Sequence, residues 1–148
     1  MPEVRVATRA ELSLCLEIRH DVFVLEQDVT VDEDVDGLDP DCTQFIAFTR
    51  EGPVGTARMR RADDGEVRAE RVAVLASARG LGLGALLMDV LEEEARRQGE
   101  LTVVLHAQVD VVAFYMKRGY EPFGAQFLDA RILHQAMRKD LHADLPDS

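Results

Sequence analysis

The chain has 148 residues, of which 28 are acidic and 17 are basic, and its formal net charge is -11 at pH 7. This length fits a single domain with its own hydrophobic core. The negative charge argues against non-specific nucleic-acid binding, which depends on Lys and Arg neutralising phosphates, and it favours neutral or cationic partners.

The two cysteines, Cys15 and Cys42, form no C-x-x-C pair and are too few for a disulfide framework. We therefore predict a reducing compartment, the cytoplasm, and no zinc site. No stretch approaches the roughly 18 consecutive apolar residues of a membrane span, and the first residues lack the regions of a signal peptide. No membrane association is expected.

The first half of the chain predicts four strands and one helix. The sequence EVRV indicates a short strand, and the amphipathic pattern from Ala10 to about Phe23 indicates a helix. The acids, Gly and Pro between Glu26 and Asp41 favour a loop with room for a short helix. The segments TQFIAFTR and GTARMRR then predict a hairpin of two strands, and a further strand follows the hairpin and ends at about Leu75.

The second half alternates helix and strand. Apolar residues that follow Leu83 at helical intervals predict a helix that ends at Gly99. LTVVLH reads as a buried strand and VDVVAFYMKRG as a second helix, and one or two strands follow before residue 140. We expect residues 1–140 to form one domain and residues 141–148 to form a disordered tail.

Three glycines lie around the junction between the strand that ends near Leu75 and the helix that begins near Leu83. Gly80, Gly82 and Gly84 allow a backbone to approach a ligand closely, and a helix start offers unpaired N–H groups and a positive dipole end. Arg79 adds a guanidinium that suits phosphate oxygens. The segment predicts an anion site, although a purely structural glycine-rich turn is the alternative because such motifs are weak signals.

The spacing of this motif excludes a Walker loop and argues against a dinucleotide-binding site. A Walker loop requires Lys and then Ser or Thr after its last glycine, whereas Ala85 and Leu86 follow Gly84. Gly80 to Ala85 fits the dinucleotide pattern G-x-G-x-x-A, but Ala76 to Arg79 separate it from its strand and no acid ends the next strand. A dinucleotide-binding fragment remains a minor alternative.

Two longer segments resemble a known superfamily. RVAV followed by RGLGLGALLMDVL resembles the strand and pyrophosphate-binding turn of the GNAT superfamily of N-acetyltransferases. HAQVDVVAFYMKRGYEPFG resembles that superfamily's second motif, with Tyr120 in place of the usual Phe. The segments IRHDVFVLEQ and FLDARILHQAM further resemble its ElaA-like branch.

The resemblance implies an α/β fold with a mixed, mostly antiparallel central sheet and helices on both sides. It implies an enzyme of the EC 2.3.1 type that moves an acetyl group from acetyl-CoA, as co-substrate, to a primary amine of a small molecule or peptide. A catalytically silent acyl-CoA-binding module is the alternative from another class. A homodimer is compatible with the sequence.

Individual residues receive roles from the same resemblance. Tyr115 would protonate the departing thiolate, which a phenol can do at neutral pH. The group that accepts a proton from the amine is left open: Glu70 and Glu26 are the main candidates, and His106 and His134 are also considered. The positions expected to bind acetyl-CoA are Val72, Ala73, Val74, Arg79, Gly80, Leu81, Gly82, Leu83, Gly84, Ala85 and Gln108.

The acidic run between the first helix and the second strand has two functional readings. Its aspartates begin like an EF-hand loop, but Thr43 stands where the bidentate Glu is required, so no metal is expected. In the superfamily this loop borders the acceptor cleft. We therefore hypothesise that Glu33, Asp36 and Asp39 attract a cationic amine.

Overall fold

Segments with strand and helix patterns alternate along the chain, and the structure, a computed structural model that describes residues 2–141, follows that order. The strands are β1 (Glu3–Val6), β2 (Thr43–Thr49), β3 (Gly52–Arg61), β4 (Val67–Val74), β5 (Thr102–Gln108), β6 (Glu121–Pro122), β7 (Phe127–Asp129) and β8 (Ile132–Asp140). The α-helices are α1 (Leu12–Arg19), α2 (Val31–Asp34), α3 (Leu83–Arg97) and α4 (Val112–Lys117).

All strands belong to one sheet, with the order β1-β2-β3-β4-β5-β8-β6 and with β7 paired to β8. Every neighbouring pair is antiparallel except β4 and β5, which are parallel. The mixed, mostly antiparallel sheet implied by the sequence is confirmed. The glycine turn does connect the one parallel pair, β4 and β5, but the rest of the sheet is antiparallel, unlike the mostly parallel sheet of a dinucleotide-binding domain, so this alternative is disfavoured.

Helices cover both faces of the sheet. On one face α3 buries the apolar stripe predicted from its spacing, and Leu87 and Leu91 are fully buried in the main core cluster. On the other face Ile18 of α1 and the following Val22 pack against Ala73 of β4. The sheet is therefore the middle layer of three.

A β-bulge in β4 changes the face to which its side chains point. Between consecutive pairs with β3, β4 advances by three residues where β3 advances by two, and Arg71 has a φ of 56°. One inserted residue reverses the alternation. Accordingly, Ala69 packs in the cluster beneath α3, whereas Ala73 packs against α1 on the opposite face.

The sheet opens at its parallel pair. β4 and β5 are joined only through the pairs Arg68 with Val104 and Ala69 with Leu105. Beyond these pairs β4 continues to Val74 and β5 to Gln108 without pairing to each other. The two strands therefore leave a gap in the middle of the sheet.

Two boundaries differ from the sequence analysis. The first helix does not end near Phe23, because α1 is followed by a π-helical segment that runs from His20 to Glu26. Leu141, the first residue of the predicted tail, is only 1% exposed and belongs to the core. The rest of the predicted tail, residues 142–148, lies outside the described residues.

None of the helices formed by residues 2–141 combines the length and apolar composition that crossing a bilayer requires.

Candidate active site

A cavity of about 450 Å³ lies at the gap between β4 and β5. Phe23 and Gln27, from the α1 side of the sheet, line it together with Phe114 and Tyr115 from α4. Since its walls come from both faces, the cavity passes through the sheet. A volume of this size suits a small organic ligand.

The predicted anion site forms the start of α3, next to this cavity. Gly80 and Gly82 have φ values of 84° and 76°, which side-chain-bearing residues rarely adopt, and a Cβ at either position would meet no atom within 4 Å. The N–H of Leu86 bonds to the carbonyl of Gly82 at 3.1 Å. The preceding N–H groups of the first turn therefore have no helical acceptor and can bind an anion.

Arg79 and Glu26, far apart in the sequence, form a bidentate ion pair beside the start of α3. The two N···O distances are 2.6 and 2.7 Å, and Nε of Arg79 also donates to the carbonyl of Val74 at 3.0 Å. The hydrogen bonds from Arg79 lower the pKa of Glu26. Glu26 is not among the described residues that line the cavity, which makes it a weak candidate for the proton acceptor.

Tyr115 lines the cavity with a side chain that is 8% exposed. Edge-to-face contacts with Phe114 and Tyr120, at ring-centroid distances of 5.0 and 5.7 Å, hold its ring in place. Burial raises the pKa of its hydroxyl to about 12, so the group stays protonated at neutral pH. No residue between 2 and 141 forms a hydrogen bond with that hydroxyl, which is free to donate to a ligand.

Glu70 also lines the cavity but is bound by two arginines. Its Oε1 lies 2.8 Å from both Arg58 and Arg60. Burial alone would raise the pKa of Glu70, but the hydrogen bonds and charges of Arg60 and Arg58 outweigh burial and lower the pKa. A carboxylate in this state accepts a proton poorly.

Two histidines lie on one side of the cavity, with a phenylalanine between them. The ring of Phe127 is 5.1 Å from that of His106 and 5.8 Å from that of His134. Nδ1 of His134 lies 2.7 Å from the carbonyl oxygen of Ile132. A carbonyl can only accept, so Nδ1 carries the proton and Nε2 of the neutral ring carries the lone pair.

The acids of the loop around α2 are neutralised within the protein. Asp39, 5% exposed, accepts hydrogen bonds from Arg19 at 2.6 Å and Arg58 at 3.2 Å. Asp36 accepts two from Arg58, and Glu33 accepts two from Arg131. These pairs anchor the loop to the sheet, so the hypothesis that these acids attract an amine finds no support in the geometry.

Asp129 and Arg68 are two of the charged cavity residues that sequence reasoning missed. Asp129, at the end of β7, lines the cavity and has no ion pair with any residue from 2 to 141. Arg68 of β4 lines it too, and its Nε is buried without a hydrogen-bond partner in the described part of the chain. No motif marks either residue, because only the tertiary fold brings β4 and β7 to the same cavity.

The other predicted acetyl-CoA positions divide between the cavity and its border. Val72, Val74 and Gln108 line the cavity, and Gln108 donates a hydrogen bond to Gln27 at 2.8 Å. Ala73 is buried against α1 instead, as a consequence of the bulge. The glycines of the α3 start lie outside the cavity wall.

Comparison with known proteins agrees with this geometry. A family model described as an acetyltransferase (GNAT) domain matches residues 23–141. An uncharacterized N-acetyltransferase of Bacillus subtilis, YjcF, is 37% identical over 141 residues, which cover 95% of this chain and 100% of the relative.

Solved structures show the same fold. An acyl-CoA N-acyltransferase from Pseudomonas aeruginosa is 29% identical, covers 94% of this chain and 98% of its own, and superposes with a TM-score of 0.81. Escherichia coli ElaA is 27% identical, covers 95% of this chain and 100% of its own, and also has a TM-score of 0.81. Since the family model spans most of the sequence and the fold agrees throughout, the chain belongs to the GNAT family of acetyltransferases.

Proposed function

We propose that the protein transfers an acetyl group from acetyl-CoA to a primary amine inside the cavity that passes through the sheet. The observation that carries this proposal is Tyr115, a protonated hydroxyl with no partner among residues 2–141, in a cavity that has an anion site at its border. The donor would enter from the α3 side, and the amine from the α1 side.

The residues at the donor side fit coenzyme A. The first N–H groups of α3 and the guanidinium of Arg79 suit a pyrophosphate, once the phosphates replace Glu26 as partners of Arg79. Beyond Ala69 the edge of β4 that faces β5 is unpaired, so the amide-containing pantetheine arm can bind along it like an added strand. Val72 and Val74 would form the wall along this arm.

Acyl-CoA supplies an activated carbonyl carbon and a thiolate leaving group. Tyr115 would donate its proton to the sulfur as the C–S bond breaks. Because burial raises the pKa of Tyr115 to about 12, above the thiol value of about 8.5, this transfer is coupled to the return of a proton to the phenolate from the amine nitrogen, which becomes strongly acidic after it attacks the carbonyl.

The acceptor is proposed to be a cationic amine with a second positive group. This rests on Asp129, a cavity carboxylate without an ion pair among residues 2–141. A second acceptor class, amines that carry a carboxylate, would pair with Arg68, which lines the cavity and whose Nη2 otherwise pairs with Glu66 and Asp64.

Three amines of similar length separate these acceptor classes. Thiol release from acetyl-CoA is measured with 1,4-diaminobutane, butylamine and 4-aminobutyrate. We expect the highest kcat/KM with the diamine, and Asp129→Asn should reduce it to the level of butylamine. A preference for 4-aminobutyrate that Arg68→Met abolishes would instead assign the carboxylate-bearing class.

The silent acyl-CoA-binding module predicts a different result. Such a protein would bind acetyl-CoA in calorimetry but release no thiol with polyamines, aminoglycosides, amino acids or peptides. Turnover with any of these amines, together with the acetylated product in mass spectrometry, supports the transferase. Tight binding without turnover over the whole panel would contradict it.

A further inference from the structure

The amine substrate is an ammonium ion at neutral pH and must lose a proton before it can attack. Each of three carboxylates in the cavity wall is held by at least one arginine, which occupies oxygens that would otherwise face the substrate. These pairs are Glu33 with Arg131, Asp34 with Arg19, and Glu70 with Arg58 and Arg60. The fourth, Asp129, can bind positive charge, but carboxylates as a class accept protons less readily than imidazole at pH 7.

The two imidazoles of the cavity differ in how they are held. His134 is fixed by a hydrogen bond from Nδ1 to the Ile132 carbonyl and by near-parallel stacking on Phe127, with an interplanar angle of 20°. His106 makes only an edge contact with that ring. Burial and the charge of Arg68 lower the pKa of His106, so it accepts a proton less readily than a free imidazole.

His134 also lies at the end of the β5–β8 ladder that borders the gap between β4 and β5. In the β5–β8 ladder it is directly opposite Gln108, the last residue of β5, where the gap to β4 is open. Its Nε2 has no hydrogen-bond partner among residues 2–141. That nitrogen is therefore available to a ligand in the cavity, in the tautomer that accepts a proton.

We infer that His134 is the proton acceptor of the transfer reaction. This inference rests on the proposed function. One N–H bond of the ammonium breaks, its electron pair stays on nitrogen as the attacking lone pair, and the proton bonds to Nε2 and then passes to solvent. The C–N bond then forms and the C–S bond breaks, with its electron pair leaving on sulfur, which takes the proton of Tyr115. The amine nitrogen loses its second proton to the resulting phenolate, which restores Tyr115.

Other ionisable groups share this end of the cavity, and any pH profile reflects them together with His134. They are His106 on β5, Arg68 and Glu70 on β4, Asp129 on β7, Arg71 at the bulge, and Glu33 and Asp34 on α2. A matched pair of variants separates the effect of His134 from theirs. His134→Gln and His106→Gln each replace one imidazole by an amide and leave the other groups in place.

The test measures kcat/KM for 1,4-diaminobutane between pH 6 and 9, with acetyl-CoA affinity from calorimetry as the check on folding. At pH 7 we expect His134→Gln to lower kcat/KM by about 10² or more, and His106→Gln by about threefold or less. The deficit of His134→Gln should shrink by about tenfold per pH unit as the fraction of free amine increases. Acetyl-CoA affinity should not change.

Wild-type kcat/KM in His134→Gln at pH 7 would overturn the inference. So would a deficit that is the same at every pH, because a structural role does not depend on the fraction of free amine. A wild-type protein that binds acetyl-CoA but acetylates no amine would instead overturn the proposed function, so the two failures are distinguishable.

Discussion

At the scale of single residues, the cavity contains both satisfied and unsatisfied polar groups. Glu70 and Glu33 are ion-paired with arginines, whereas the hydroxyl of Tyr115 has no partner among residues 2–141. That hydroxyl opens into the cavity, where a ligand can accept its hydrogen bond. The position of Tyr115 therefore favours binding and chemistry over stability.

Replacing Tyr115 by Phe tests this role. If the hydroxyl protonates the thiolate, Tyr115→Phe should lower the single-turnover rate by about 10² with little change in acetyl-CoA affinity, because the lost interaction is made mainly in the transition state. Tyr120→Phe is the matched control: its hydroxyl donates to Glu92 at 2.9 Å, so its loss should lower stability and leave the rate unchanged. Equal single-turnover rates in wild type and Tyr115→Phe would remove Tyr115 from the mechanism.

At the scale of elements, pattern and spacing predicted most strands and helices, but not the features that depend on tertiary contacts. The stripe of α3 and the β2–β3 hairpin follow from local sequence. The bulge at Arg71 does not, because a non-glycine residue with positive φ carries no local signal. The fully buried Arg19 was also missed, because Asp34 and Asp39 neutralise it only in the folded chain.

The glycines at the start of α3 form the predicted anion site, and a substitution there tests it directly. Gly82→Val places a branched side chain where an anion would approach and should weaken CoA binding by about a hundredfold, the loss of two charge-assisted hydrogen bonds. Gly99→Val is the control, because Gly99 has a similar φ of 82° and equally open surroundings but follows the other end of α3. Calorimetry that gives equal CoA affinities for the two variants would exclude the anion site.

At the scale of the whole molecule, buried ion pairs connect the acidic loop to the sheet. Arg58, 1% exposed, contacts Asp36, Asp39 and Glu70. The net effect of their surroundings is to lower the pKa values of all three carboxyls. Neither the sequence order nor the motifs predicted this network, because its members come from a loop and two strands.

These ion pairs predict a loss of stability in acid. The folded-state pKa values of Asp36, Asp39 and Glu70 lie below their unfolded values of about 4, so the stabilisation is complete above the unfolded pKa values and is lost as pH falls through the folded ones. The free energy of unfolding in urea should decrease as pH falls from 5 to 3, as these three carboxyls are protonated. An equal free energy at pH 7 and pH 3 would contradict the importance of the network.

The central claim about the molecule is that donor and acceptor meet in a cavity that crosses the sheet between β4 and β5. The most direct test is the affinity of a conjugate in which CoA is joined through an acetyl linker to 1,4-diaminobutane. If both ends bind at once, its Kd should be at least about a hundredfold lower than that of CoA. Asp129→Asn should weaken the conjugate but not CoA, and Gly82→Val should weaken both. A conjugate that binds no more tightly than CoA would contradict the claim.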